Sequence, residues 1–463
     1  MRQPGSILLV SCYELGHLPF AIASPVAFLE RAGYCPTVLD LSVSRFDREQ
    51  IEQALFVGIS VPMHTALRLG VRVAEQIRKL NPSCHICFFG LYASLNSEYL
   101  LQHSADSVIG GEFEEPLLKL IEARSNAGND SLQVEGVSFR DRTQLPYLER
   151  LKFAPLSYRG LPPLSKYAQV VSNGTHRFAG YIEASRGCLH HCLHCPVPPV
   201  YNGRFFVVPE MIVLDGIRKL VALGASHITF GDPDFLNGPR HSMRIVRAIH
   251  DEFPNLTFDF TAKVEHLLKH RDSLSEFREA GCLFVVSAFE SVSNVILNNL
   301  EKGHSRENIC ELLEVFRDVG LTIRPTWVPF TPWTTLDDYI DLLEFVLSEQ
   351  LIQNIDPIQY TIRLLVPPGS LLLHRGDMKR FVTGLDQPNF SYRWVHPDPR
   401  LDQLQKDVSE LVEQLIQPES SSVAIFERVR RLAYAVRGDR YLPFVMDLIS
   451  PVAPPRLTEA WFC

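Results

Sequence analysis

Two successive arrays of short apolar, β-branched runs alternating with helical-period segments run through this sequence. Such alternation folds into parallel sheets joined by right-handed crossovers. In the first array the runs are 7–10, 37–41, 55–60, 85–89 and 107–109, separated by helical segments that include 21–32, 66–80 and 114–123. They predict a five-stranded doubly wound sheet, a fold that takes ligands beyond the carboxyl ends of its strands. In the second array the runs are 181–184, 227–230, 257–261, 283–289, 322–328 and 357–365, with amphipathic segments such as 211–223 and 336–347 between them. Six units predict a partial (β/α)6 barrel with its reactive groups at the C-terminal ends of the strands.

The expected organisation is a doubly wound unit over 1–125, a connector over 126–177, a partial barrel over 178–375 and a helical C-terminal region over 376–463. The connector opens with turn-forming Asn126-Ala127-Gly128-Asn129-Asp130 and carries a possible hairpin near 137–145 and Pro155, Pro162 and Pro163. The last region contains helical segments at 401–415 and 423–436. With 463 residues the chain has ample material for two cores. A net charge of -8 and a pI near 6.1 give it no general attraction to nucleic acid or anionic lipid. No apolar run approaches the ~20 residues of a membrane span, and residues 7–10 are too short for a signal peptide. Ten irregularly spaced cysteines do not form a secreted disulfide framework, so a reducing, cytoplasmic location is expected. Cys35, Cys84, Cys87, Cys282 and Cys310 read as buried thiols acting as small hydrophobes.

The chemistry concentrates just after the first strand of the second array. Cys188, Cys192 and Cys195 form a C-x-x-x-C-x-x-C triplet preceded by Arg186-Gly187. Three thiolates this close can hold a cubane iron-sulfur cluster and leave one iron free for a small-molecule ligand. The competing reading is a zinc site that also uses His190, His191 or His194, because Zn²⁺ accepts mixed sulfur and nitrogen donors. A strand-loop setting inside a six-unit array favours the cluster.

In that setting the triplet resembles the signature of radical S-adenosylmethionine enzymes, apart from His194 where an aromatic residue often stands. The resemblance implies a 4Fe-4S cluster on Cys188, Cys192 and Cys195, with S-adenosylmethionine on the open iron. The segment Gly231-Asp232-Pro233-Asp234 stands where the family contacts the amino group of that cofactor, often through Gly-Gly-Glu, so Asp232 is a non-standard counterpart. Phe289-Glu290-Ser291 resembles a Gly-x-Glu-Ser segment and makes Glu290 the preferred contact; Lys263 follows the third strand. Arg324 is a further candidate, with a barrel-face ion pair as its equal alternative. Residues 24–33, 57–60 and 106–115 resemble the cobalamin-binding domain that precedes many such barrels. No Asp-x-His-x-x-Gly sequence is present, so a histidine on cobalt is not implied, and His17 and His64 read as loop histidines that could face a corrin.

The implied reaction is methyl transfer to an unactivated carbon or a radical rearrangement, on an unidentified small-molecule or peptide substrate, with flavodoxin or ferredoxin as electron donor. A cobalamin-free radical enzyme and a non-enzymatic zinc or iron-sulfur scaffold are the alternatives. A methylthiotransferase needs a second cluster, and of Cys12, Cys35, Cys84 and Cys87 only Cys12 lies at a strand's carboxyl end. The terminus, Pro454-Pro455-Arg456-Leu457-Thr458-Glu459-Ala460-Trp461-Phe462-Cys463, resembles a subgroup ending in Cys-Sec-Ala-Glu-Pro or Cys-Cys-Ala-Glu-Pro. This implies a selenoprotein tail read as stopping at Cys463, where a terminal thiol and an adjacent selenol would form a redox pair. Sequencing past the Cys463 codon is expected to show UGA followed by Ala-Glu-Pro codons; UAA or UAG there rejects the tail.

Overall fold

The computed structural model describes residues 1–126, 133–416, 421–443 and 453–459. Its first sheet consists of β1 (Ile7–Ser11), β2 (Thr37–Asp40), β3 (Phe56–Ser60), β4 (His85–Phe89), β5 (Ser107–Ile109) and the short β6 (Val137–Ser138), ordered β2-β1-β3-β4-β5-β6. The first five are parallel, as expected; β6, at the start of the hairpin expected near 137–145, adds to them as an antiparallel edge strand. Helices cover both faces, so β1, β3 and β4 are buried throughout and read as unbroken apolar runs instead of alternating ones. The order reverses between β1 and β3, so the loops after these two strands flank the crevice.

The second sheet begins with the antiparallel pair β7 (Gln169–Ser172) and β8 (Thr175–Ile182). Past β8, the chain forms a small ladder from β9 (Ser185–Gly187) and β10 (Phe205–Val207), then returns to the sheet as β11 (His227–Phe230), β12 (Thr257–Thr261), β13 (Cys282–Glu290) and β14 (Thr322–Trp327). Strands β8, β11, β12, β13 and β14 are parallel neighbours in that order. The sixth unit departs from expectation: residues 357–361 form a 3-10 turn, and only a bridge between Phe330 and Arg363 continues the ladder. Pro357 has a fixed φ and no N–H to donate, and it starts a turn where a strand was expected.

The C-terminal region adds further unforeseen elements to the partial barrel. The C-terminal region contributes the two expected helices, Pro399–Leu415 and Ser422–Arg437, together with an antiparallel hairpin of β15 (Val382–Asp386) and β16 (Ser391–Trp394). The chain then returns as β17 (Arg456–Leu457), antiparallel to β7 and at the opposite end of the sheet from β14. Leu457 packs with Ala168, Val170, Ala179, Phe284 and Val286. Arg324 on β14 joins the two ends, donating to the Pro455 carbonyl at 3.4 Å while pairing with Asp356 at 2.9 Å. Cys463 lies outside the described residues. Among those described, no helix is long and apolar enough to cross a membrane.

Arg186 couples the two sheets. From the β9 ladder its guanidinium reaches Glu112 at 3.1 Å and Glu114 at 2.7 Å, both just after β5, and Glu183 at 2.9 Å. Ser24 accepts from the same group at 3.3 Å and donates to Glu114. Phe20, Phe113 and Phe153 face the cation at 5.4–5.7 Å. Gly111 makes the turn into this carboxylate pair: its φ is +76°, and a Cβ would lie 2.3 Å from the Tyr147 carbonyl oxygen.

Replacing Arg186 by Met leaves Glu112, Glu114 and Glu183 buried without this cation, which costs about 3–5 kcal/mol. Burial pushes the Glu183 carboxyl up from 4.5 to about 8, against the opposing pull of Arg186. A carboxyl raised by folding keeps a proton that the unfolded chain releases, so its contribution is fullest below pH about 4.5 and declines as pH climbs to about 8. Without Arg186 the decline steepens. The urea midpoint of R186M is expected to fall further below wild type at pH about 8 than at pH about 5; an equal deficit at both would assign the loss to packing alone.

Candidate functional site

The cysteine loop is anchored at its base. Asp232, just after β11, accepts from Ala184 N at 2.9 Å and Ser185 Oγ at 2.6 Å, fixing the point where the chain leaves β8. Gly187 then turns with φ +74° so close to the Arg204 carbonyl that a Cβ would sit 2.4 Å from its oxygen. Cys188 N donates to that same carbonyl at 3.2 Å. Only glycine permits this approach, which accounts for the residue before the first cysteine. Further along, Leu193 N bonds the Leu300 carbonyl and Cys195 N bonds the Cys192 carbonyl, so the triplet folds back over the barrel rim.

Cys188 and Cys192 are buried and Cys195 is half-buried. Burial raises the Cys188 thiol and pushes that of Cys195 up to about 12. Thiols in such surroundings ionise only beside strong positive charge, as thiolate ligands of a metal centre do. Without such a charge Cys188, Cys192 and Cys195 stay protonated, and they are the three thiols of this loop that could hold a cluster.

Glu290 stands opposite, at the end of β13. Its backbone takes φ +64°, unusual for a residue with a side chain, and the ladder to β14 is irregular there. Its carboxylate lies 3.1 Å from His194 Nε2 in the cysteine loop and accepts from Lys302 Nζ at 3.1 Å. Burial alone would raise this carboxyl, but Lys302 and then His194 hold it well below the usual range. It is a fixed anion. Lys302 is 3 % exposed and its charge also acts on Cys192 and Cys195. Glu290 thus stands at a strand end facing the cysteine loop, and its partner Lys302 belongs to the segment Leu300-Glu301-Lys302-Gly303-His304, to which the sequence assigns no role.

Other candidates fall elsewhere. Asp232 spends its carboxylate on the base of the loop, and burial raises it to about 6 against those bonds, so it positions the cysteines. Arg324 takes up the alternative role: its fork is held by Asp356 and the Pro455 carbonyl at the seam between the two sheet ends, and it does not line the cavity. His17 packs on Tyr181 at 4.7 Å and does not line the cavity, with burial lowering it to about 4. Cys12 is buried in a hydrophobic cluster. Cys35 is exposed and Cys310 only partly covered, contrary to their reading as core thiols.

A cavity of about 330 Å³ separates the strand ends of the two sheets. Met63, His64 and Tyr92 form one wall, and His194, Glu290, Thr326 and Trp327 the other. His64 Nε2 lies 2.7 Å from the Asn389 carbonyl in the β15–β16 hairpin and so carries the proton there. Beside it, Phe390 inserts into the core of the first sheet and meets Tyr99 edge-on at 4.9 Å. The cavity has largely apolar walls and one anion, Glu290, and His194 and Pro196 bring the cysteine segment to its edge, a combination suited to holding a reactive cofactor away from water.

Comparison with known proteins agrees with this layout. Residues 182–346 match the family described as the radical SAM superfamily. Bacteriochlorophyllide d C-8(2)-methyltransferase of Chlorobaculum tepidum is 23% identical over 328 residues, covering 69% of this chain and 67% of that protein. The ribosomal protein uS12 methylthiotransferase RimO of Phocaeicola vulgatus is 26% identical over 183 residues, 37% of this chain and only 41% of that protein. Among solved structures, OxsB with aqua-cobalamin bound superposes with a TM-score of 0.69 at 15% identity, covering 93% of this chain and 72% of that one. TsrM from Kitasatospora setae, with cobalamin and a [4Fe-4S] cluster bound, gives 0.58 at 19% identity over 75% of this chain and 70% of that one. At these identities the structures speak for the fold. The match over 182–346, on the barrel that carries the cysteine loop, makes this chain an enzyme with a radical SAM domain, whose cofactors are a 4Fe-4S cluster and S-adenosylmethionine.

Proposed function

We propose that this enzyme cleaves S-adenosylmethionine reductively at a cluster held by Cys188, Cys192 and Cys195, and uses cobalamin between its two sheets for methyl transfer to an unactivated carbon or a radical rearrangement. The observation that carries the reading is the cavity walled by strand ends of both sheets, with His64 and Tyr92 facing Glu290 and His194. When bound, the cofactors supply an electron, a 5′-deoxyadenosyl group and a methyl group. The chain's own part is to orient, shield and neutralise them. Glu290 is the acceptor proposed for S-adenosylmethionine, and Lys302 the buried cation that offsets the thiolates. Asp232 and Arg324 act at a distance, through the loop base and the barrel seam.

In this reading cobalamin lies at the crevice with no histidine on cobalt, as the absence of an Asp-x-His-x-x-Gly sequence implies. His17 packs on Tyr181 and does not line the cavity, and His64, which does, donates from Nε2 to the Asn389 carbonyl. A one-electron protein donor such as flavodoxin or ferredoxin, and a small-molecule or peptide substrate, complete the reading. A cobalamin-free radical enzyme remains the second reading, since its cleavage step uses the same barrel residues.

Anaerobically reconstituted protein is expected to carry about four irons per chain and to release 5′-deoxyadenosine on reduction with S-adenosylmethionine. C192A should lose both; stoichiometric zinc with no cluster absorbance would overturn the assignment. In the same preparation the Co(II) form of bound cobalamin should give an electron paramagnetic resonance spectrum without nitrogen splitting from an imidazole. Imidazole splitting refutes the coordination, and failure to retain any corrin favours the cobalamin-free reading.

A further inference from the structure

We propose that His190, Asp234 and His266 form a second metal site, a mononuclear centre for a divalent cation of the zinc type, beside the cysteine loop but built without its thiols. Three separate elements supply the donors. His190 lies between Cys188 and Cys192, Asp234 in the loop after β11, and His266 on the helix Val264–Lys269 that follows β12.

His266 Nδ1 is 3.0 Å and His190 Nε2 3.4 Å from the same Asp234 oxygen, Oδ2, and the three donor atoms all lie within 4.8 Å of one another. Both imidazole nitrogens are buried, yet neither is aligned to hydrogen-bond. Donors about 2.0–2.2 Å from a tetrahedral Zn²⁺ stand about 3–3.5 Å apart, so the spacing suits ligands sharing one ion. Asp234 is fully buried and its direction is set by Leu236 N at 2.9 Å on Oδ1 and Lys263 N at 3.2 Å on Oδ2, the outer contacts that orient a metal-binding carboxylate. His266 is 9 % exposed.

Lys263 is the opposing charge, with its Nζ 3.2 Å from His190 Nδ1. Metal on Nε2 leaves Nδ1 as an N–H donor, which cannot accept from the ammonium. Glu265, 3.5 Å from the same Nζ, is placed to take Lys263 when that happens. The ion would clamp the cysteine loop to the ends of β11 and β12, a structural role separate from cleavage of S-adenosylmethionine.

The test is metal analysis of the full chain, anaerobically loaded with iron and sulfide, given Zn²⁺ and desalted. Wild type is expected to retain about one zinc beside the cluster iron, bound at about 2.0–2.1 Å by nitrogen and oxygen with no sulfur at about 2.3 Å in zinc-edge X-ray absorption. H266A and D234N should keep the iron and lose zinc retention at least about tenfold, whereas K263M, with all three donors intact, should keep it. No zinc retained by wild type, sulfur in its shell, or full retention by H266A overturns the site. Because the absorption measurement uses wild type, misfolding of a variant does not blunt it. Iron content and 5′-deoxyadenosine release report separately on the proposed function.

Discussion

One guanidinium among buried carboxylates sets the relation between the two halves of this protein. Arg186 sits two residues before the first cysteine and receives Glu112 and Glu114 from the far sheet and Glu183 from its own strand end. Burying such charges is unfavourable unless they are paired and fully bonded. Here the pairing can be completed only when both sheets stand in one register: moving either separates Arg186 from Glu112 and Glu114. The cavity between the strand ends depends on that register, because its walls belong to different sheets. Tyr201, which donates to Glu112 at 2.9 Å from the far end of the cysteine loop, extends the same restraint across the triplet.

A second charge pair works at the other wall. Lys302 and Glu290 are both buried, and each holds the other ionised against the cost of desolvation. That keeps a cation near the thiols and an anion near the cavity, with His194 between loop and carboxylate. The left-handed backbone at Glu290 aims its side chain there at a cost of about 1–3 kcal/mol, tolerated because the neighbouring ladder bond from Val328 N to the Glu290 carbonyl locks it.

Much of the barrel was legible in advance. Runs such as 227–230 and 257–261 emerge as strands with unchanged limits, because their short, mostly buried stretches are rich in β-branched and aromatic residues. The run at 357–365 misled because its apolar composition is shared by strands and buried turns, and Pro357 decides between them only in context. β17 was not foreseen because two residues of strand have no periodicity to read. Arg324 was left between two roles: its chemistry suits either partner, and only the returning chain end and Asp356 determine which one it meets.

What the sequence determined by itself was local. The spacing of Cys188, Cys192 and Cys195, the glycine before them and the alternation of apolar runs all follow from chemistry acting over a few residues. The tertiary structure alone decided which distant groups meet: Arg186 with Glu112 and Glu114, Glu290 with Lys302 and His194, and His190 with Asp234 and His266. Contacts between residues remote along the chain leave no periodic trace in the sequence. A charged side chain advertises what it can bind, but crossovers and sheet register determine what stands within reach.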